Sequence, residues 1–458
     1  MRALTAAAVA GVLLAMAPSA DAAVRKVVVR QGPLELNPYE VRYTSKATRA
    51  VRAPRLDGYV VRMRARVVDR AGAPVPVQRV MLHHVVYKTR AHRDTVCGGG
   101  EAFYGTGEEN QALELPPGYG YRIRRRDRWY TGWMLMNHRS TTQRAYIEYT
   151  AWVETDRRLR AVRPYWVRAT GCDHARDPIF NVPGGRRPGA RFAKSASWTV
   201  PRSGRLVAGG AHLHGGALAL SLSQPRCGGR PLMVSRPLYG LPDHPYYNVL
   251  PVLHEPGPIA TGWIESARGI AVRRGERLRV TALYDGERPH VRAMGIWHVY
   301  LAPGRAPRRR CGPLPRDLSN ELPPTPGRLA PPPVTVPLTG LDPSGVAVPI
   351  DRPPGPVESP GKRARVVVGN RSYSVRNLAV PLGGTVSWSF RGLGYHDVTV
   401  ADGPRGFASR WSLRGERYSK RFRVPGTYRL FCSLHPVEMT QRIDVTGFAS
   451  PGTAQPLE

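Results

Sequence analysis

The chain has 458 residues and a net charge of +35, from 68 Lys and Arg against 33 Asp and Glu. That length supplies two to four separately cored domains. The basic excess is nearly all Arg, is spread along the chain and forms no stripe interleaved with aromatics. This excludes nucleic acid as the natural partner and leaves a solubilising surface, or electrostatic contact with an anionic cell envelope. In chain order, the first element is a charged start at Met1 and Arg2, an apolar run over residues 6–16, and small residues ending in Ala20, Asp21 and Ala22. It reads as a signal peptide over 1–22, so the chain is expected to be secreted, to the periplasm or cell envelope. No later segment is apolar for the roughly eighteen residues that a membrane span needs.

From residue 23 to 197 the pattern is one of short strands with turn signals between them, as in YVVRMRARVVD (59–69), RVMLHHVVYK (79–88) and RAYIEYTAWVE (144–154). Alternation with β-branched and aromatic residues favours strands over helices. A second stretch, 198–303, continues in the same style with RLVAGGAHLHGGALALSLS (205–223) and AMGIWHVYLA (293–302). Proline then clusters through 304–361, which reads as a semi-extended linker holding the last module at a distance. Strands return over 362–446 at a spacing that predicts an antiparallel Greek-key sandwich, and 447–458 is a tail. The expected fold class is all-β: two jelly-roll-like sandwiches, the linker and a C-terminal sandwich.

Five cysteines suit an oxidising compartment. If Cys432 is set aside as a metal ligand, Cys97, Cys172, Cys227 and Cys311 remain, with three pairings open. Cys97–Cys172 with Cys227–Cys311 is the simplest choice if disulfides respect domains.

The segment FCSLHPVEM (431–439) places Cys432, His435 and Met439 just after a strand, and His396 stands upstream in GYHDVTV. One thiolate, two imidazoles and a thioether form the donor set of a mononuclear blue-copper centre, which exchanges single electrons. Residues 362–445 resemble the plastocyanin–azurin group of cupredoxins. The resemblance implies one type 1 Cu ion held by His396, Cys432, His435 and Met439, and a redox partner protein or small reductant.

The front two-thirds carries a second constellation: His83 and His84 adjacent, His138 in GWMLMNHRS, His212 and His214 in HLH, and Met294 in AMGIWHVYL. On a strand, His212 and His214 share a face, whereas His83 and His84 share one only if the strand bulges. Residues 60–302 resemble the type II copper, ascorbate-dependent monooxygenases, and in local wording the plant stress-upregulated nodulin family. The resemblance implies two well-separated further Cu ions, one on His83, His84 and His138, the other on His212, His214 and Met294.

The other histidines, His92, His174, His244, His254, His290 and His298, have no partner at metal spacing and are read as surface or satisfied core. The GTGEEN segment (105–110) is read as a turn-rich loop. Three functions stay open: electron transfer by the tail coupled to the front, O2-dependent C–H hydroxylation within 60–302 fed by the tethered tail, and copper sequestration or delivery.

Overall fold

The computed structural model of the chain describes residues 24–44, 49–172, 178–307, 309 and 311–447, so the expected signal peptide and His174 lie outside the described residues. Among the described residues every regular element is a strand except two 3-10 turns, Pro225–Cys227 and Pro245–Tyr247. No helix there is long and apolar enough to cross a membrane. The fold is all-β, as expected, and is built from sandwiches.

In the first sandwich one sheet runs Val24–Leu36, Gln143–Glu154, Gly58–Val68 and Tyr119–Ile123. The other runs Val41–Tyr43, Trp129–Asn137, Val80–Arg93 and Gly100–Gly107. Strand Gly58–Val68 shows why these segments fold so. Met63, Ala65 and Val67 turn inward while Arg62 and Arg64 face solvent, the period of a strand with one buried face. The core between the sheets is aromatic, with Phe103, Trp129, Trp133 and Tyr149 fully buried.

The second sandwich stacks Arg163–Arg168, Gly295–Pro303, Gly204–Leu213 and Trp263–Val272 against Arg191–Thr199, Arg277–Asp285, Ala217–Gln224 and Arg230–Ser235. The chain therefore changes sandwich near residue 162, well before the expected boundary at 197. Strand Arg163–Arg168 pairs along its whole length with Gly295–Pro303. Alternation marks a strand but carries no label for the sheet it joins. Cys97–Cys172 and Cys227–Cys311 are the disulfides, with Cα separations of 5.2 and 5.6 Å. Given the earlier crossing, the first of them ties the two sandwiches together instead of closing a loop within one.

The proline-rich stretch also departs from expectation. Ser319–Glu321 extends the second sandwich by pairing with Trp263, Ile264 and Glu265, and Val336 and Leu338 are buried. Val357–Glu358 pairs with Asn377–Pro381 in the C-terminal sandwich. This is a strap laid along the protein. Proline prevents central-strand pairing but not apolar packing or short edge pairing.

The C-terminal sandwich has one sheet of Val357–Glu358, Asn377–Pro381, His435–Thr446, Gly426–Cys432 and Thr399–Asp402, and another of Arg363–Val368, Thr385–Phe390 and Arg417–Arg421. Its sheets are mixed, because Arg363–Val368 with Thr385–Phe390 and Asn377–Pro381 with His435–Thr446 are parallel. Nor is the module held at a distance. Tyr39, Val41, Met81, Met134 and Met136 of the first sandwich share one apolar cluster with its core.

Candidate metal centres

The tail centre forms where strand Gly426–Cys432 ends. The chain reverses there, so that Cys432 pairs with His435, and the register slips between Phe431 and Cys432. The slip leaves Met439 beside the Phe431–Thr440 pair, fully buried in the same cluster as Cys432. His396 arrives from the bridge it forms with Ser412.

Cys432 Sγ lies 3.6 Å from His435 Nδ1, and the His396 and His435 rings stack at 4.9 Å. One donor atom from each of the three residues lies within 4.8 Å of the other two. His396 Nε2 is 3.0 Å from the Leu393 carbonyl and donates to it, which makes Nδ1 the lone-pair nitrogen. That Nδ1 is buried without a hydrogen-bond partner, an arrangement that costs free energy unless something binds it. Gly392 permits the approach, since a Cβ there would sit 2.8 Å from His396 Nε2.

Burial, reinforced by the Asp397 carboxylate, pushes the Cys432 thiol well above its ordinary pKa. Burial, then the neighbouring His396, lowers His435 to about 4, and burial lowers His396. Near neutral pH the site is therefore two neutral imidazoles and a thiol, and a soft cation would displace the thiol proton. The donor set fits a copper ion.

Asp397, wholly buried, braces the site. Its carboxylate accepts from the Ser433 backbone N–H and hydroxyl, both at 2.6 Å, and so joins the neighbour of His396 to the neighbour of Cys432. The same carboxylate forms a 2.8 Å ion pair with Arg292 of the second sandwich. Arg292 also stacks over Trp411, 4.6 Å from the ring centre. Trp411 donates to Ser433 Oγ at 3.1 Å and packs 4.4 Å from Tyr43, whose ring is 6.3 Å from that of His84.

The front histidines gather at the seam between the two front sandwiches. Strand Val80–Arg93 does bulge, between Leu82 and His84, so the His83 and His84 rings stand 5.2 Å apart. His212 and His214, at the end of strand Gly204–Leu213 and just beyond it, have ring centres 5.1 Å apart and Nε2 atoms 3.2 Å apart. His83 and His214 lie 5.1 Å ring to ring, so members of the two sets expected to stand well apart are neighbours.

The remaining expected ligands lie outside this contact. His138 bonds the Pro251 carbonyl through Nδ1 at 3.0 Å, and its Nε2 is buried without a partner. Met294 lines a cavity of about 220 Å³ together with His83, His84, His214, Met134 and Met136, and Trp411 of the C-terminal sandwich forms part of its wall.

Three residues that sequence reasoning passed over belong to the cluster. Glu108 takes His83 Nδ1 and His254 Nε2 on one oxygen at 2.6 Å each, and the Gly257 N–H on the other at 2.7 Å. Glu109 sits 3.1 Å from His212 Nδ1. Two adjacent acids in a loop rich in turn residues were all that the sequence offered, and the structure shows both almost fully buried. Acids of this kind are rarely buried unless paired.

Burial opposes the charge on Glu108, but His254 and His83 outweigh it and hold the carboxyl well below its usual range. Burial lowers His83, His84 and His214, and takes His138 down to about 4. His212 differs: burial works against its charged form, Glu109 more than offsets this, and its pKa is raised.

No protein-family model matches the chain, and no curated protein matches it. Among solved structures it is similar to a proline-to-glycine variant of amicyanin in its reduced Cu(I) form at pH 4, with 26% identity over 18% of this chain and 82% of that one, at a TM-score of 0.17. A purple cupredoxin from Nitrosopumilus maritimus gives 27% identity over 18% of this chain and 99% of that one, also at 0.17. A reduced tryptophan-to-tyrosine variant of amicyanin gives 25% identity over 19% and 83%, at 0.18. These likenesses cover less than a fifth of the chain, and what the centres can do follows from their donor atoms.

Proposed function

We propose that the chain is an exported copper protein whose C-terminal centre carries single electrons, with one ion held by His396, Cys432, His435 and Met439. The observation that carries this reading is the use of the cysteines. Four are in disulfides, and the fifth is buried 3.6 Å from His435 Nδ1 in a group with His396, whose buried Nδ1 has no hydrogen-bond partner. Copper held by these residues would supply one-electron redox chemistry.

The protein's own contribution is rigidity and connection. Asp397 and Ser433 hold the two ligand-bearing segments in register, Met439 provides a buried thioether, and burial excludes water. Trp411, Tyr43 and His84 form a packed series of rings toward the front histidines, which suits exchange between the tail and the front. A redox partner protein or small reductant closes the circuit outside.

Copper loading of the full chain tests the reading. The expected result is one intense visible thiolate-to-copper band that can be bleached by reductant. A colourless, copper-free tail overturns it.

One observation favours hydroxylation as a second reading. The cavity beside His84 is lined by three methionines and is large enough for a small apolar group. In that reading O2 gives one oxygen atom to a C–H bond and the other to water, using two protons and two electrons drawn through the tail from a reductant. Oxygen uptake that depends on an added apolar substrate supports it. Copper binding without uptake leaves electron transfer, or sequestration and delivery.

A further inference from the structure

Where the two front sandwiches meet, each presents a second, outward face. On strand Val80–Arg93, Val85 and Tyr87 turn into the first core, so Val86 and Lys88 point away from it. On the second sandwich Tyr165 and Val167 fill the core, which turns Trp166 and Arg168 outward, and Trp297 does the same for Ile296 and His298. Val86, Trp166, Met294 and Ile296 pack together across the seam. Around them is a second cavity of about 220 Å³, beside Cys97, which adjoins the first one at His84, Met294 and Trp411.

We propose that this second cavity binds a small organic acid, with its carboxylate at Lys88 and its body against the Trp166 and His298 rings. No metal ion is needed for that binding.

Charge assigns the carboxylate. Lys88 and Arg168 share the wall with one acid, Asp94, which already accepts from the Val96 N–H at 2.7 Å. Lys88 is half-buried, and among the described residues its ammonium has neither an ion-pair nor a hydrogen-bond partner. Burial, then Arg168, lowers its pKa, and Asp94 opposes them. Lysine is seldom taken out of water without a partner, because desolvation of its charge goes uncompensated. His212, at another part of the wall, is already paired with Glu109 at 3.1 Å. Two cations against one carboxylate leave a single positive charge, which matches a monocarboxylate better than a phosphate.

The rings assign the body. Trp166 and His298 pair across their strands, and their rings stack at 3.9 Å. Trp166 Nε1 and His298 Nε2 are both buried without a hydrogen-bond partner. Burial takes His298 down to about 3, so near neutral pH it is an uncharged ring. Two unpartnered ring nitrogens on the wall of one cavity suit a flat ligand with a polar end. Gly105 makes room for the indole, since a Cβ there would lie 2.5 Å from it. Gly98 and Gly99 are exposed and have nothing within 4 Å of where a Cβ would stand, which leaves the mouth beside the disulfide open.

Benzoate binding to the metal-free full chain at fixed ionic strength, read by calorimetry and melting temperature, is the test. Benzoate should bind saturably and raise the melting temperature, and benzamide and inorganic phosphate should bind more weakly. Lys88→Met should weaken benzoate binding about 10- to 100-fold. It should also raise the melting temperature of the ligand-free chain, because an apolar side chain replaces an unpaired charge. Trp166→Phe should weaken binding about fivefold by removing one N–H. Lys26→Met, which removes an exposed charge elsewhere, should leave binding unchanged.

Uptake that never saturates, the mark of general attraction to a chain of charge +35, would overturn the site. So would equal binding of benzamide, tighter binding of phosphate, or full benzoate affinity in Lys88→Met. A lower melting temperature in Lys88→Met would overturn it too, by making the lysine a structural cation.

Discussion

The tail centre and the front cluster use the same side chain, histidine, in opposite ways. In the tail three of the four expected ligands fall within residues 432–439, and one sandwich supplies all of them. In the front, residues between 83 and 254 meet across a seam, and His83, His212 and His254 are each paired with a carboxylate from another segment. The tail draws its donors from one sandwich, although that sandwich shares its core with the first and its Asp397 pairs with Arg292 of the second. The front cluster exists only if two sandwiches dock in one arrangement, secured by the Cys97–Cys172 bridge.

The sharpest way to separate the two regions is Cys432→Ser. It should abolish the visible band completely while leaving the fold in place. A variant that stays coloured removes the thiolate assignment. Next in size is the contact joining the regions. Arg292→Met leaves the wholly buried Asp397 without its ion-pair partner, and losing one member of a buried pair costs about 3 kcal/mol. Denaturant unfolding measures that loss. A change below about 0.5 kcal/mol, ordinary for an exposed position, would mean that the tail does not rest on Arg292.

Acidification should act on both regions with one dominant sign. Burial lowers His435 to about 4 from 6.5, and also lowers His83, His84 and His214. Between the folded and unfolded pKa values the unfolded chain binds more protons, so stability rises with pH across that window. The metal-free protein should therefore lose thermal stability progressively from pH 6.5 to about 4. His212, raised beside Glu109, acts in the opposite sense and blunts the loss. A melting temperature that is flat or rises on acidification contradicts this. The smallest effect belongs to Trp411→Phe, which keeps the ring but removes the N–H bond to Ser433, worth about 1 kcal/mol. The visible band should persist, with a small shift from the altered loop.

Much of the tail was legible because its information is local. A strand ending in Cys432, followed by His435 and Met439, puts soft donors at one pole under any sandwich packing. The HLH pair and the need for a bulge at His83 and His84 were legible for the same reason: alternation decides which face a side chain occupies. Glu108, Glu109 and His254 were not. GTGEEN looks like any polar turn until the second sandwich covers it, and His254 follows a proline-rich loop without any periodicity. The crossing near residue 162 and the strap over 304–361 were misjudged because pairing partners lie more than a hundred residues apart, or because proline masks edge pairing.

Period-two patterning, the reserved cysteine and the spacing of the donors settled that this is a β-sandwich chain whose tail gathers soft donor residues, since each is written over a few neighbouring residues. Docking of the sandwiches decided that His83 meets His214, that buried acids aim the imidazoles and that Arg292 reaches Asp397. Those contacts depend on how whole faces fit together, which no short stretch of chain encodes.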